Sequence, residues 1–565
     1  MVKCNNKKRV LGGRKMETTI TNNIIKNNIT NIYMFKNPLR FFLNIEKIYN
    51  LEKSYIDLLK DDDVSWTTPA NFKIRKYYGK NDFRMLKLPN LLNFFFLYHK
   101  CKNEDKFYDF NRISLFSRVK VNVETGDFVS YVYQIQLEKD LDLLTKYDYL
   151  YKFDIKSFYS SINTHILQEE TKITFDDRFI RNLNDGYSSG ILMGNYISLF
   201  LAEKFLQKIM EIINNKLIET IGVSQFKLYN FSDDIYIFGY EKNESLIKKI
   251  INEVLFDFSL ELNDSKFEKI DYLSHNNNNI LTKYWKKIIH KQLLATNVDG
   301  ITYNDKIKNN TDDDGYYLNI LNQLIYRRNL LQDEKKKSIF INGFFKSKFF
   351  NYMNFNDFNI TRENLHQIQF IIKNHPETVL YIIEKIKTMK NKKFNDDFFD
   401  FLKTTFFNSL EKDFYEEQLY YYFAIKKYNT NYNFEKEIIE KVMKSNNQIL
   451  SSYFVMNEID CGNHGYALEY LNEKNNNWIL NYHIILKNKD TLDIDTYLNK
   501  YLCPKMAKES KRYVYIDFYK KLLDNNYKII NSISSVSTKI SEFISEKNKE
   551  KNANASMIND YYNFI

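Results

Sequence analysis

A chain of 565 residues exceeds what one ordinary hydrophobic core organises, and its 44% hydrophobic content excludes a disordered protein. Its formal charge of +11 suits a polyanionic partner such as nucleic acid or nucleotide phosphates, but the basic residues are mostly Lys, which argues against sequence-specific reading of duplex bases. Cys4, Cys101, Cys461 and Cys503 lie too far apart for a zinc knuckle or disulfide framework, and no apolar run approaches the roughly 20 residues of a membrane span. A cytoplasmic protein without membrane contact is therefore expected.

Taken in chain order, residues 1–65 read as a mainly helical extension with polar Asn and Thr stretches. From about 70 to 135, short β-type runs are punctuated by the turn signals "YYGKND" and "ETGD". Residues 147–270 alternate helical and strand patterns, the mark of an α/β or α+β unit. Helical stripes then take over. Leu365, Ile368, Ile371 and Ile372 share one face, His375-Pro376 breaks the helix, and Val379, Ile382, Ile383 and Ile386 form the next. Phe434, Ile438 and Val442 repeat that spacing, which suits stacked helix pairs of the HEAT-like kind. The segments "HNNNN" (275–279) and "NNTDDDG" (309–315) mark the junction, giving expected domains 1–300 and 301–565.

The chemistry centres on "LYNFSDDIYIFGY", residues 228–240, where Asp233 and Asp234 stand side by side between strand-like arms. An isolated Asp-Asp is usually an Asx-rich surface turn. Here Phe226 and Leu228 run in and Ile235 to Phe238 run out, support that a solvated turn seldom needs. Upstream, "YLYKFDIKSFYSSI" (149–162) places Asp154 at the end of an apolar strand. Adjacent carboxylates repel unless a cation lies between them, and three so arranged could hold two Mg²⁺ ions, with Mn²⁺ as an alternative, for in-line nucleotidyl transfer. Between them "GILMGNYISLFLAEKFL" (190–206) carries Gly190, Gly194 and Ser198 into a helical stripe of Leu201, Ala202 and Phe205. Alone it reads as a loop entering a core helix; beside the Asp motifs it reads as a platform for the incoming base.

The order F-D-I-K-S-F-Y, G-x-x-x-G-x-x-x-S-x-x-L-A and S-D-D resembles motifs A, B and C of reverse transcriptases. "LELNDSKFEK" (260–269) resembles their motif D, whose Lys corresponds to Lys266. "KIRKYYGKNDFRMLKLPNLLNFFFLY" (73–98) resembles the fingers segment of bacterial abortive-infection (Abi) polymerases of the AbiK type, through Arg84, Lys87, Pro89, Asn90 and Leu91. The likeness covers about residues 70–270 by motif and the remainder by texture.

That resemblance implies an α+β reverse-transcriptase-like palm and fingers followed by an all-α helical-repeat domain. It makes Asp154 and Asp233 the principal metal ligands, with Asp234 completing the site. Tyr159 becomes an aromatic gate favouring dNTPs, and Lys266 lies near the leaving pyrophosphate. Gly194 and Ser198 belong to the nucleotide platform, while Arg84, Lys73 and Lys80 grip the triphosphate, solvated surface charge being their alternative. Two departures are Leu192, where Pro is usual, and Phe231, where Tyr is common. The implied function is template-independent, protein-primed DNA synthesis in antiphage defence, by a homo-oligomer whose single-stranded DNA product stays covalently attached. Tyr33, Tyr49, Tyr561 and Tyr562 are the priming candidates. An RNA-templated enzyme and a non-catalytic assembly protein are the rivals. The aromatic cluster "EQLYYYFAIKKY" (417–428) reads either as a packed helix face or as a lining for single-stranded DNA.

Overall fold

The structure is a computed structural model. It describes residues 29–35, 38–46, 64–75, 83–122, 139–276, 314–331, 334–346, 361–386, 392–459, 467–473, 477–505 and 507–546, with a few isolated positions besides. After a short helix α1 (Ile29–Tyr33), strands β1 (Ala70–Arg75) and β2 (Phe83–Leu88) form an antiparallel ribbon registered from Ala70↔Leu88 to Arg75↔Phe83. Helix α2 (Leu91–Cys101) follows, its start fixed by Asn90, whose side chain accepts the Leu92 N–H. A two-residue pair, β3 (Val121–Asn122) and β4 (Asp127–Phe128), precedes the central sheet.

That sheet comprises β5 (Tyr149–Asp154), β6 (Phe226–Phe231), β7 (Asp234–Gly239) and β8 (Glu268–Ile270), in the antiparallel order β6-β7-β5-β8. Between β5 and β6 lie α3 (Phe158–Ser161), α4 (Thr164–Thr171), α5 (Arg178–Leu183) and the long α6 (Tyr196–Ile221); α7 (Glu244–Asp257) connects β7 to β8. Helices α6 and α7 pack together, and Phe205 of α6 meets Phe258, which caps the end of α7, with ring centroids 5.4 Å apart. Tyr151, Phe153, Leu228, Ile235 and Ile237 are buried in the same core. Side chains alternate along a strand, so these residues take the opposite face from Asp154 and Asp234.

Beyond residue 276 the described residues contain helices and no strand. They include α8 (Asp314–Leu330), α9 (Glu334–Phe345), α10 (Arg362–Asn374), α11 (Val379–Ile382), α12 (Lys392–Lys412), α13 (Tyr415–Tyr428), α14 (Lys436–Met443) and α15 (Gln448–Asn457). The array continues with α16 (Trp478–Lys487), α17 (Ile494–Tyr501), α18 (Glu509–Asp524) and a last helical run, 533–546. The break falls where His375-Pro376 was read: α10 stops at Asn374 and Pro376 opens a short 3-10 turn. Leu419 to Phe423 of α13 are at most 2% exposed, so the "YYYF" cluster is a packed core face and not a DNA path.

The N-terminal strip 38–46 is threaded into this helical array. Phe42 packs against Tyr420, Phe423 and Tyr453, Leu43 bridges Ile530, and Asn531 donates to the carbonyls of Phe41 and Leu43. Asn90 and Asn93 reach Tyr519 and Tyr515 of α18, and the Trp478 indole N–H donates to the Leu88 carbonyl. One continuous apolar core therefore runs through the ribbon, the sheet's helices and the helical array. The junction read at 275–315 lies almost wholly outside the described residues.

Candidate active site

Asp154 ends β5 directly opposite Asp234, the first residue of β7. Opposed residues of an antiparallel pair share a face, with Cβ atoms about 4.5–5.5 Å apart. The β6–β7 turn consists of Ser232 and Asp233, with Ser232 at φ 55°. A positive first φ belongs to the primed hairpin turns that match strand twist, and outside Gly it stores about 1 kcal/mol of strain. The Asp233 carbonyl accepts the Ile155 N–H at 3.3 Å, fastening the tip beside Asp154. The sheet thus gathers Asp154, Asp233 and Asp234 at one end.

An ammonium stands among them. Lys266 Nζ donates to both oxygens of the largely buried Asp154 at 2.9 and 2.8 Å, and Asn263 Nδ2 donates to Oδ2 at 3.0 Å. Burial disfavours the charged lysine, but the hydrogen bond and charge of Asp154, with the charges of Asp233 and Asp234, outweigh it and raise the Lys266 pKa. Lys152 lies 3.8 Å from Asp234 and 3.9 Å from Glu268. Among the described residues no three His, Cys, Asp or Glu side chains form a ready-made metal cage. The donor set still fits a hard divalent cation, because all three are carboxylates and a positive charge already lies between them.

Tyr159, the second residue of α3, is half-buried beside this acidic end. Burial, then the charges of Asp233 and Glu203, push its pKa up, against a hydrogen bond from Ser232 and the charge of Arg84. It is a neutral hydroxyl at physiological pH. The motif that follows packs under it: the Ile191 N–H donates to the Tyr159 carbonyl at 2.9 Å. Gly190 holds φ 87° where a Cβ would meet the Ser160 carbonyl at 3.2 Å, and Gly194 holds φ 116° with Leu86 of the ribbon 3.2 Å from its missing Cβ. Ser198 is buried in the first turn of α6, its N–H capped by Asn195 at 2.8 Å. At 6% exposure it offers no open face.

The ribbon separates the predicted cations. Arg84 is exposed, lies opposite Ile74, and shares a face with Phe72 and Leu86, the side that packs toward Gly194. Lys73 is one residue from Ile74 and so takes the other face, where its Nζ lies 4.0 Å from Asp413 and 4.7 Å from the Phe83 ring centroid. Lys73 is therefore a tie to the helical array and is not aimed with Arg84 at one triphosphate. Tyr33 is also placed otherwise than a primer requires: it is 2% exposed and its hydroxyl donates to the Pro89 carbonyl at 2.7 Å. Lys80, Tyr49, Tyr561 and Tyr562 lie outside the described residues.

Three contributors escaped the sequence reading. Asn263 contacts Asp154, Lys152 lies 3.8 Å from Asp234, and Glu203 of α6, at 1% exposure, reaches Asn230 of β6 behind the turn. Burial raises the Glu203 pKa against hydrogen bonds with Ser117 and Asn230 and the charge of Lys120. Asn230, fully buried, donates to the Ser232 carbonyl in the turn. A glutamate in the middle of the apolar run "LFLAEKFL" was the available signal.

No protein-family model matches this sequence, and no curated protein is similar to it. Among solved structures, the chain is similar to telomerase from Candida albicans in complex with a fragment of telomeric RNA. The identity is 11%, the TM-score 0.26, and the match covers 69% of this chain and 68% of that one. Apo telomerase from Candida tropicalis matches at 13% identity and TM-score 0.28, over 76% of this chain and 82% of that one. So loose a superposition decides nothing, and the description of the site rests on its own geometry. No helix among the described residues is long and apolar enough to cross a membrane.

Proposed function

We propose that the chain is a reverse-transcriptase-like DNA polymerase, with the β1–β2 ribbon as fingers, the four-stranded sheet as palm and a HEAT-like helical array behind them. The observation that carries this reading is the gathering of Asp154, Asp233 and Asp234 at the open end of the sheet, with the Lys266 ammonium held on Asp154. Two Mg²⁺ ions bound there, or Mn²⁺ in their place, would supply the charge that activates a hydroxyl and stabilises the leaving pyrophosphate. Asp154 and Asp233 would be the principal ligands and Asp234 the third. Arg84, exposed on the palm-facing side of the ribbon, meets the triphosphate of a dNTP. Tyr159 presents a neutral ring and hydroxyl against the sugar, and Gly194 lets the fingers close on the platform.

The finer reading is an abortive-infection enzyme of bacterial antiphage defence. It works in the cytoplasm as a homo-oligomer and builds single-stranded DNA without a template on a tyrosine of its own chain. The motif resemblance supports this, and Tyr33 is the least suited of the priming candidates. The experiment is to incubate purified protein with labelled dNTPs and Mg²⁺, without nucleic acid, and then to denature it. Label migrating with the polypeptide is expected. Label only on free DNA would overturn self-priming, and product complementary to copurifying RNA would replace it with templated synthesis.

A further inference from the structure

The two groups that hold Asp154 differ in kind. Asn263 is fixed at three points. Its N–H donates to the Asp154 carbonyl at 2.8 Å, its Nδ2 donates to Asp154 Oδ2 at 3.0 Å, and the Ser265 hydroxyl donates to its Oδ1 at 2.7 Å. It also continues a short ladder in which Ile155 bridges Leu262 and the Lys156 N–H donates to the Glu261 carbonyl. The carboxylate sets the amide orientation, because an acceptor-only group takes the NH₂ and leaves Oδ1 to receive the Ser265 hydroxyl. Lys266 reaches the same carboxylate from a half-exposed side chain on a flexible stem, with no other side-chain partner among the described residues.

We propose that Asn263 is a positioning residue that permanently holds one oxygen of Asp154, while Lys266 is a removable placeholder that neutralises the acidic end until a divalent cation arrives and then swings free toward the cleft. This rests on the reading of Asp154, Asp233 and Asp234 as metal ligands. A carboxylate left to choose its rotamer among three like charges turns away from its neighbours. Asn263 prevents that by holding Oδ2, which leaves Oδ1 as the oxygen Lys266 surrenders. The ammonium and the cation compete for the same carboxylate, so Lys266 lowers metal affinity, whereas Asn263 raises it.

The opposite signs are the test. Mn²⁺ binding to the full chain, without nucleotide, is measured by the loss of free-ion EPR signal for wild type, Lys266→Met and Asn263→Ala, with the melting temperature of each. Lys266→Met should bind Mn²⁺ about 2- to 5-fold more tightly, the scale of a half-exposed ion pair. Asn263→Ala keeps its backbone bond to Asp154, and should bind about 10-fold more weakly, as when a supporting hydrogen bond to a metal ligand is lost. Ser265→Ala, which removes the hydroxyl that steadies the amide through its Oδ1, should fall between wild type and Asn263→Ala. A second readout is acylation of Lys266 followed by mass spectrometry. Its reactivity should rise when Mn²⁺ is added while that of Lys172, which is distant in the sequence and has no carboxylate partner among the described residues, stays constant. A wild type that binds no Mn²⁺ removes the metal reading itself. Binding in the wild type, with both variants shifted the same way or with Lys266 reactivity unchanged by Mn²⁺, overturns this inference and leaves that reading intact.

Discussion

Of the places where this chain sets carboxylates side by side, two are solved in opposite ways. Asp233 closes a strained turn and Asp234 opens β7 at the end of a sheet, where their positive neighbours are lysines on flexible stems. Glu416 and Glu417 begin α13, each 6% exposed, between the β1 strand and the helical array. Burial first, then the charge of Glu417, pushes the Glu416 pKa up to about 8, and burial pushes Glu417 up to about 7 against Arg75 and Lys412. Arg75 seals the second site: its Nε lies 3.0 Å from Glu417, its N–H donates to Glu416, and its guanidinium lies 3.8 Å from the Phe414 ring centroid. Adjacency of acids is therefore not the mark of chemistry. An open site with a displaceable counter-ion can exchange it for a metal; a sealed one holds two parts of the chain together.

Substitutions sharpen that contrast. Asp233→Asn should reduce nucleotide incorporation by about 10³-fold or more, since it removes a ligand on which the transferring charge depends. Glu417→Gln should leave incorporation within about 2-fold, and equal losses from the two would erase the distinction. Removing the other side of the sealed site acts on stability: Arg75→Ala leaves the buried Glu417 without its cation, while the backbone N–H to Glu416 remains, and should cost about 3 kcal/mol in urea unfolding. A loss below about 1 kcal/mol would mean that Arg75 is not the compensating charge of Glu417.

Smaller effects separate the two faces of the ribbon and the pH response of the seal. Arg84→Ala should raise the KM for dNTPs about 10- to 100-fold, a scale expected when a charge-assisted phosphate contact is lost. Lys73→Ala, on the opposite face, should leave that KM unchanged. The seal should also weaken with alkali. Glu416 binds its proton more tightly folded than unfolded, so stability falls as pH rises from about 4.5 through about 8. Melting temperature should therefore decline between pH 6 and pH 9, and Glu416→Gln should flatten that decline by removing the group that ionises. An unchanged slope would exclude Glu416 as its source.

Much of the site was legible because it depends on local pattern. The apolar arms of the "SDD" hairpin had to pair, and a strand ending in Asp154 had to lie beside them for the three acids to meet. The break at His375-Pro376 was equally local, set by the missing proline N–H. What periodicity reveals is a face, not its cover. Lys73 and Arg84 look equivalent in sequence, and only the register of β1 on β2 puts them on opposite sides. Asn263 was hidden because its role depends on a return ladder along residues 154–156. Strip 38–46 is threaded through helices more than 350 residues away, which no local pattern reports. Tyr33 carries nothing in its neighbourhood to show that its hydroxyl is spent on Pro89.

The central claim, that Asp154, Asp233 and Asp234 form one nucleotidyl-transfer site, is tested most directly by measuring pyrophosphate released from dNTPs with Mg²⁺ for wild type, Asp154→Asn and Asp233→Asn. The account predicts release by the wild type that stops when the metal is chelated, and none above background from either variant although both fold. Release that survives in both variants would contradict it.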